Sequence, residues 1–169
     1  MPHLFPRGSP ATTAFQCHWD RLYLALIGKL SLLESLFTQV LIPDQVLAEC
    51  VHAGAPPELR SAMNPLPPFL QSVPVPMRLP ETASLDEGES AAISLAWQHR
   101  ADTLVLIDER AGRAIASALG LPIRGLLGII TESHRRGLLE FDLTMAQLEH
   151  TGFRIAAPLL QKARQQLGL

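Results

Sequence analysis

The chain has 169 residues, a length expected to form one domain. Hydrophobic residues make up 47% and aromatics only 5%, which implies an aliphatic core of Leu, Ile, Val and Ala, as in helices packed on a buried sheet. The formal net charge is −2, and its distribution is uneven: residues 1–109 carry 12 acids and 6 bases, residues 110–169 carry 8 bases and 4 acids. An acidic pocket beside a basic surface produces such a split, and so do solvated helix faces that differ in composition.

Two cysteines, Cys17 and Cys50, without CxxC or Cys/His ligand spacing, exclude a structural zinc site and a disulfide framework. The opening MPHLFPRGSPATTAF lacks the apolar core of a signal peptide. No apolar run approaches the ~18 residues that span a membrane. The expectation is a soluble cytoplasmic protein with no membrane partner.

Residues 1–20 are an atypical N-terminal segment, rich in proline and glycine, with a poor strand over Ala11–Cys17. Leu22, Leu26, Ile27 and Leu30 share a helical face that ends at Gly28 and Lys29. Ser31-Leu-Leu-Glu34 reads as a capping box, and Thr38–Ile42 as a buried strand. Pro43 suits a first helical turn. The helix that follows turns Val46, Leu47 and Cys50 inward and ends at Gly54. Glu49 sits one step off that apolar stripe, where a solvated face is the default and a cleft is the alternative. Residues 54–80 hold 8 of the 14 prolines and read as an extended connection, with a strand-like piece in Val73–Leu79.

Ser84-Leu-Asp-Glu87 is a second capping-box pattern. Asp86, Glu87 and Glu89 crowd the first turn of the next helix, which the helix dipole alone explains. The dipole does not explain why Glu89 lies one turn before Ile93, beside the buried face of Ala92, Ile93, Leu95 and Ala96. Thr103–Ile107 is an apolar run of strand length, expected to be a central parallel strand. Asp108 ends it, either as a ligand at a sheet's carboxyl edge or as the N-cap of a helix over Glu109–Leu119. Leu121–Arg124 reads as a short strand, and Gly125–His134 as a helix closed by Arg135, Arg136 and Gly137. Gly125 and Gly128 permit close approach to a phosphate, a weak signal without a complete phosphate-loop motif. Thr144-Met-Ala-Gln147 repeats the capping-box pattern. A short strand or turn over Thr151–Ile155 and a terminal helix over Pro158–Leu167 complete the chain. Alternating strands and helices predict an α/β fold with a mostly parallel sheet.

The segments LIPDQVLAE (41–49), LDEGESAAISLA (85–96) and LVLIDERAGRAIASALGLPIRGLLGII (104–130), with the turn at Gly137, resemble the PIN-domain nuclease superfamily. They are most similar to its DUF3368 branch, related to the VapC-like toxins of toxin–antitoxin pairs. The resemblance implies a three-layer α/β/α sandwich with a mostly parallel central sheet. It implies a Mg²⁺- or Mn²⁺-dependent ribonuclease, with Glu49, Glu89 and Asp108 as catalytic metal ligands. Asp86 is an accessory carboxylate, and Glu109 a neighbour of the ligand set. Its partners would be RNA, a small antitoxin protein and a second copy of the chain. Arg110, Arg124, Arg135 and Arg136 are candidates to steer the RNA backbone, whereas Arg113 is expected to pair with Glu109 four residues earlier.

The family's first strand ends in an Asp, and counting back from Gly28 places Cys17 there; Asp20 is the nearest carboxylate. Three explanations are a lost ligand, substitution by Asp20, and an altered reading frame upstream of Leu22. Without that Asp the alternative function is a catalytically degenerate, PIN-like binding module.

Overall fold

The computed structural model describes residues 13–16, 18–99 and 103–169, with side chains from Leu22 onward. Five strands form one sheet: β1 (Thr13–Gln16), β2 (Gln39–Pro43), β3 (Leu70–Val73), β4 (Thr103–Leu106) and β5 (Ile123–Arg124). Their order is β3-β2-β1-β4-β5, and all four pairings are parallel. The expected α/β fold with its parallel sheet is therefore present. The segment that reads as a poor strand, β1, occupies the centre, with Gln16 level with Leu106 of β4.

The buried strands divide their side chains by the two-residue period of the pleat. Val40 and Ile42 of β2 and Leu104 and Leu106 of β4 face one core cluster, while Leu41, Val105 and Ile107 face the other. The first cluster is covered by α1 (His18–Leu26), α2 (Leu32–Leu36), α3 (Asp44–Val51), α4 (Pro57–Met63), α7 (Leu126–Arg135), α8 (Phe141–His150) and α9 (Ala157–Leu167). The second lies under α5 (Glu87–Gln98) and α6 (Arg110–Ala118). This gives the three layers. Phe141, Leu33 and Ile93 are fully enclosed, and truncating any of them to Ala would cost about 2–5 kcal/mol.

Several local expectations are corrected. The proline-rich connection contains α4, whose Pro57 stands in the first turn where its missing N–H costs nothing, and the edge strand β3. Ser31 makes no side-chain cap. Asp86, not Ser84, caps α5 by accepting the Glu89 N–H at 2.7 Å. Glu140 caps α8 by accepting from Asp142 and Leu143, which leaves Thr144 inside the helix donating to the Glu140 carbonyl. At α5 and α8 a carboxylate that reaches two or three residues forward displaced the hydroxyl that the pattern favours. Residues 151–152 form a turn, with Gly152 at φ 89°, and residues 153–155 form no regular element. No helix among the described residues is long and apolar enough to cross a membrane.

In a parallel sheet all carboxyl ends share one edge. The chain runs outward from β1 through β2 to β3, then returns to the other side of β1 with β4. The reversal of strand order at β1/β4 opens a crevice at that edge, where ligands of open α/β sheets bind.

Candidate metal centre

Asp108 follows β4 at this reversal. Its carboxylate does not cap α6, where Glu109 takes the N-cap position without a side-chain bond. Both oxygens instead accept from the Leu126 N–H, at 3.3 and 3.1 Å, so the carboxylate rests on the positive end of α7. Gly125 makes this approach possible, because a Cβ there would overlap Asp108 Oδ1. Arg113 is not paired with Glu109. Its Nη1 donates to the Ile107 carbonyl at 2.9 Å, and it passes 3.3 Å from the same Cβ position on Gly125. The chain end of β4 offers a carbonyl that the four-residue helix spacing could not reveal.

Glu89 is the third residue of α5 and is 5% exposed. Its side chain points at α6, where Gly112 leaves room. A Cβ on Gly112 would overlap Ile107 Cδ1 and sit 2.8 Å from Glu89 Oε1. Oε1 is buried and has no hydrogen-bond partner among the described residues. Burial, then the negative charges of Asp86 and Glu109, push the Glu89 carboxyl up to about 7, against the Asp86 cap contact that lowers it.

Glu49, half-buried on α3, and the exposed cap Asp86 meet at Gly88. Glu49 Oε2 and Asp86 Oδ1 each lie 3.5 Å from the position of a Cβ on Gly88. α3 thus brings Glu49 to the start of α5, away from the solvated face that periodicity favours. The carboxylates Glu49 with Asp86, Glu89, and Asp108 are each seated against a glycine: Gly88, Gly112 and Gly125. Sequence reasoning named the acids and, of these glycines, singled out only Gly125, for a phosphate rather than for Asp108. Gly88 and Gly112 carry no local signal, because the acids they seat include Glu49 and Glu89 from other helices.

Among the described residues no three His, Cys, Asp or Glu side chains converge tightly enough to enclose an ion. Asp20 lies on α1, directly after β1, with its side chain outside the described residues, as is Cys17. The donor set is all oxygen, the chemistry that a hard divalent cation takes. The orphaned Glu89 oxygen, with its raised pKa, marks negative charge that the protein itself leaves uncompensated.

The bases fall elsewhere. Arg110 is exposed at the start of α6. Arg136 donates to Glu132 at 2.8 Å, and Arg135 lies 4.0 Å from the same carboxylate. Arg124 is half-buried on β5, where burial lowers its pKa, Glu132 opposes the shift and Arg135 adds to it.

Comparison with curated proteins and with solved structures returns no significant match. The DUF3368 family, described as a PIN domain, matches residues 22–169. That stretch includes α3, α5, β4 and the three glycines, and it begins where the resemblance improves, after the atypical first segment. With a match over most of its length, the chain belongs to the PIN-domain family of nucleases.

Proposed function

We propose that this protein is a Mg²⁺- or Mn²⁺-dependent ribonuclease that hydrolyses RNA phosphodiester bonds in the cytoplasm, as the toxin of a type II toxin–antitoxin pair. The observation that carries the reading is Glu89, a buried carboxylate with an unpartnered oxygen and a raised pKa at the acidic edge of a PIN fold. When bound, the cation supplies an activated water and offsets charge on the phosphoryl oxygens. Glu89 and Asp108 would hold it, with Glu49 and Asp86, both beside Gly88, and Asp20 on α1 as further ligands. Mg²⁺ keeps several waters, so carboxylates that do not close tightly on one point can still bind through them. Arg113, tied to the Ile107 carbonyl, fixes the chain end that carries Asp108. A small antitoxin, one segment of which fills the acidic crevice, and a second copy of the chain are the proposed protein partners.

The test is RNA cleavage with Mn²⁺ or Mg²⁺ by the wild type, Asp108→Asn and Glu89→Gln. Each substitution is expected to lower the rate at least about 100-fold, since removing several kcal/mol of charge stabilisation does so. No cleavage with either ion, or cleavage that survives Asp108→Asn, removes the reading.

A second reading, a catalytically degenerate binding module, is favoured by one observation. The family match starts at Leu22 and leaves Cys17 where the first-strand ligand is expected. A thiol is a poor ligand for a hard ion. Under this reading Cys17→Asp strengthens Mn²⁺ binding and restores cleavage; equal affinity and activity in the two proteins defeats it. An altered frame upstream of Leu22 predicts that another frame of the gene encodes an Asp-bearing first strand. A reading of all frames that finds none ends that explanation.

A further inference from the structure

On the far side of β5 from α6, a cleft of about 170 Å³ opens between α7 and α9. It is several times the ~30 Å³ share of one water molecule, room enough for a phosphoryl group. Three cationic side chains line it from three elements: Arg124 from β5, Arg135 from α7 and Lys162 from α9. The single acid in its wall is Glu132, which is bound more closely by Arg136, at 2.8 Å, than by Arg135, at 4.0 Å. The cleft therefore keeps an excess of positive charge. Two small residues shape it. Buried Ala163 lets α9 approach α7. Gly128 lets the Arg124 stem cross α7, with its Cδ only 3.1 Å from where a Cβ would stand.

The cleft is joined to the acidic edge by α7 itself. The first N–H of that helix, at Leu126, holds Asp108, and Arg135 lies at its last turn. Nine residues at 1.5 Å per residue separate the two by about 14 Å, within reach of a few nucleotides of single strand. Holding Arg124 half-buried costs desolvation, which lowers its pKa. Glu132 opposes that shift, and an anion in the cleft would favour the charged guanidinium further.

We propose that the cleft between α7 and α9 is a backbone-phosphate subsite for single-stranded RNA, held by Arg124, Arg135 and Lys162. The proposal rests on the ribonuclease reading for its ligand, but its test does not need cleavage. Arg135 and Lys162 are exposed, so charge reversal there leaves the core intact, which an unchanged unfolding midpoint verifies.

The experiment measures anisotropy of a labelled single strand of about 12 nucleotides, in divalent-free buffer, between about 50 and 200 mM salt. Arg135→Glu and Lys162→Glu are each expected to weaken binding at least about fivefold. Each should also flatten the plot of log affinity against log salt by about 0.7, the value for one lost phosphate contact on a single strand. Unchanged affinity and slope in both variants overturns the proposal. Binding of inorganic phosphate without binding of RNA also overturns it, as a free-anion site. Cleavage by the wild type with RNA affinity unaltered in the variants removes the subsite and keeps the nuclease. RNA bound through the cleft without cleavage in Mn²⁺ keeps the subsite and removes the nuclease.

Discussion

At the acidic edge, Glu89 is buried at 5% exposure with one oxygen unpartnered and with Asp86 and Glu109 as like-charged neighbours. In the cleft along α7, Arg135 and Lys162 face solvent, and Glu132 is held by Arg136 at 2.8 Å with Arg135 only at 4.0 Å. The two regions share one helix and treat charge differently. Burial and the repulsion of Asp86 and Glu109 both disfavour the charged form of Glu89 at the edge. Water and salt screen the exposed Arg135 and Lys162, so they cost little to hold, whereas half-buried Arg124 is partly desolvated. The proposed metal chemistry draws on the first region, and the proposed RNA subsite on the second.

The largest expected effect breaks the edge without touching a carboxylate. Gly125→Ala places a Cβ on Asp108 Oδ1 and displaces it from the Leu126 N–H. Misplacing a reacting group by ~1 Å can cost about 100-fold, so Mn²⁺-dependent cleavage should fall by that order. In the same helix, Gly128→Ala meets only the flexible Arg124 stem at 3.1 Å and should leave kcat within about twofold. Similar rates for the two alanine variants would show that the seating of Asp108 on Gly125 does not matter to cleavage.

A smaller effect sharpens the contrast in burial. In metal-free buffer the Glu89 carboxyl, pushed up to about 7 from an ordinary 4.5, binds protons more readily folded than unfolded. Its contribution therefore favours folding at low pH and is lost as the pH rises from about 4.5 through 7. Glu89→Gln removes the titration. The variant should melt higher than the wild type at pH 8 by roughly 3–8 °C, the shift that about 1–2 kcal/mol produces at this size, and equally near pH 4. Parallel melting curves across that range would show that the charge at Glu89 is already compensated.

The smallest effect lies on the basic half. Arg164 donates to Asp142 at 2.9 Å between α9 and α8, with both side chains nearly half exposed. Exposed pairs contribute about 0–1 kcal/mol, so Arg164→Ala should shift the melting midpoint by no more than about 2 °C. A larger shift would mean that this pair fixes α9, and with it the shape of the cleft.

Much of the fold was legible from local pattern. The apolar run ending at Asp108, the helix opened by the 86–89 cluster and the parallel arrangement follow from periodicity and alternation. β1 was legible only as a poor strand, and its central place was not, because that is defined by pairing with β2 and β4 rather than by TAFQ itself. α4 was hidden among prolines, since proline in a first turn looks in sequence like proline in a loop. Arg113 was assigned to Glu109 because spacing reports neighbours on one helix, whereas the Ile107 carbonyl comes from the adjoining strand end.

By itself the sequence determined the acids Glu49, Glu89 and Asp108, the elements that carry them and the family signature, all of which are local in the chain. The tertiary structure alone decided how each acid is seated. Gly88 stands against Glu49, Gly112 against Glu89 and Gly125 against Asp108, across elements far apart in sequence. It also decided that three bases from β5, α7 and α9 line one cleft. The physical reason is common to both: close approach and charge repulsion depend on distance in space, and a parallel sheet brings together residues that the chain keeps apart.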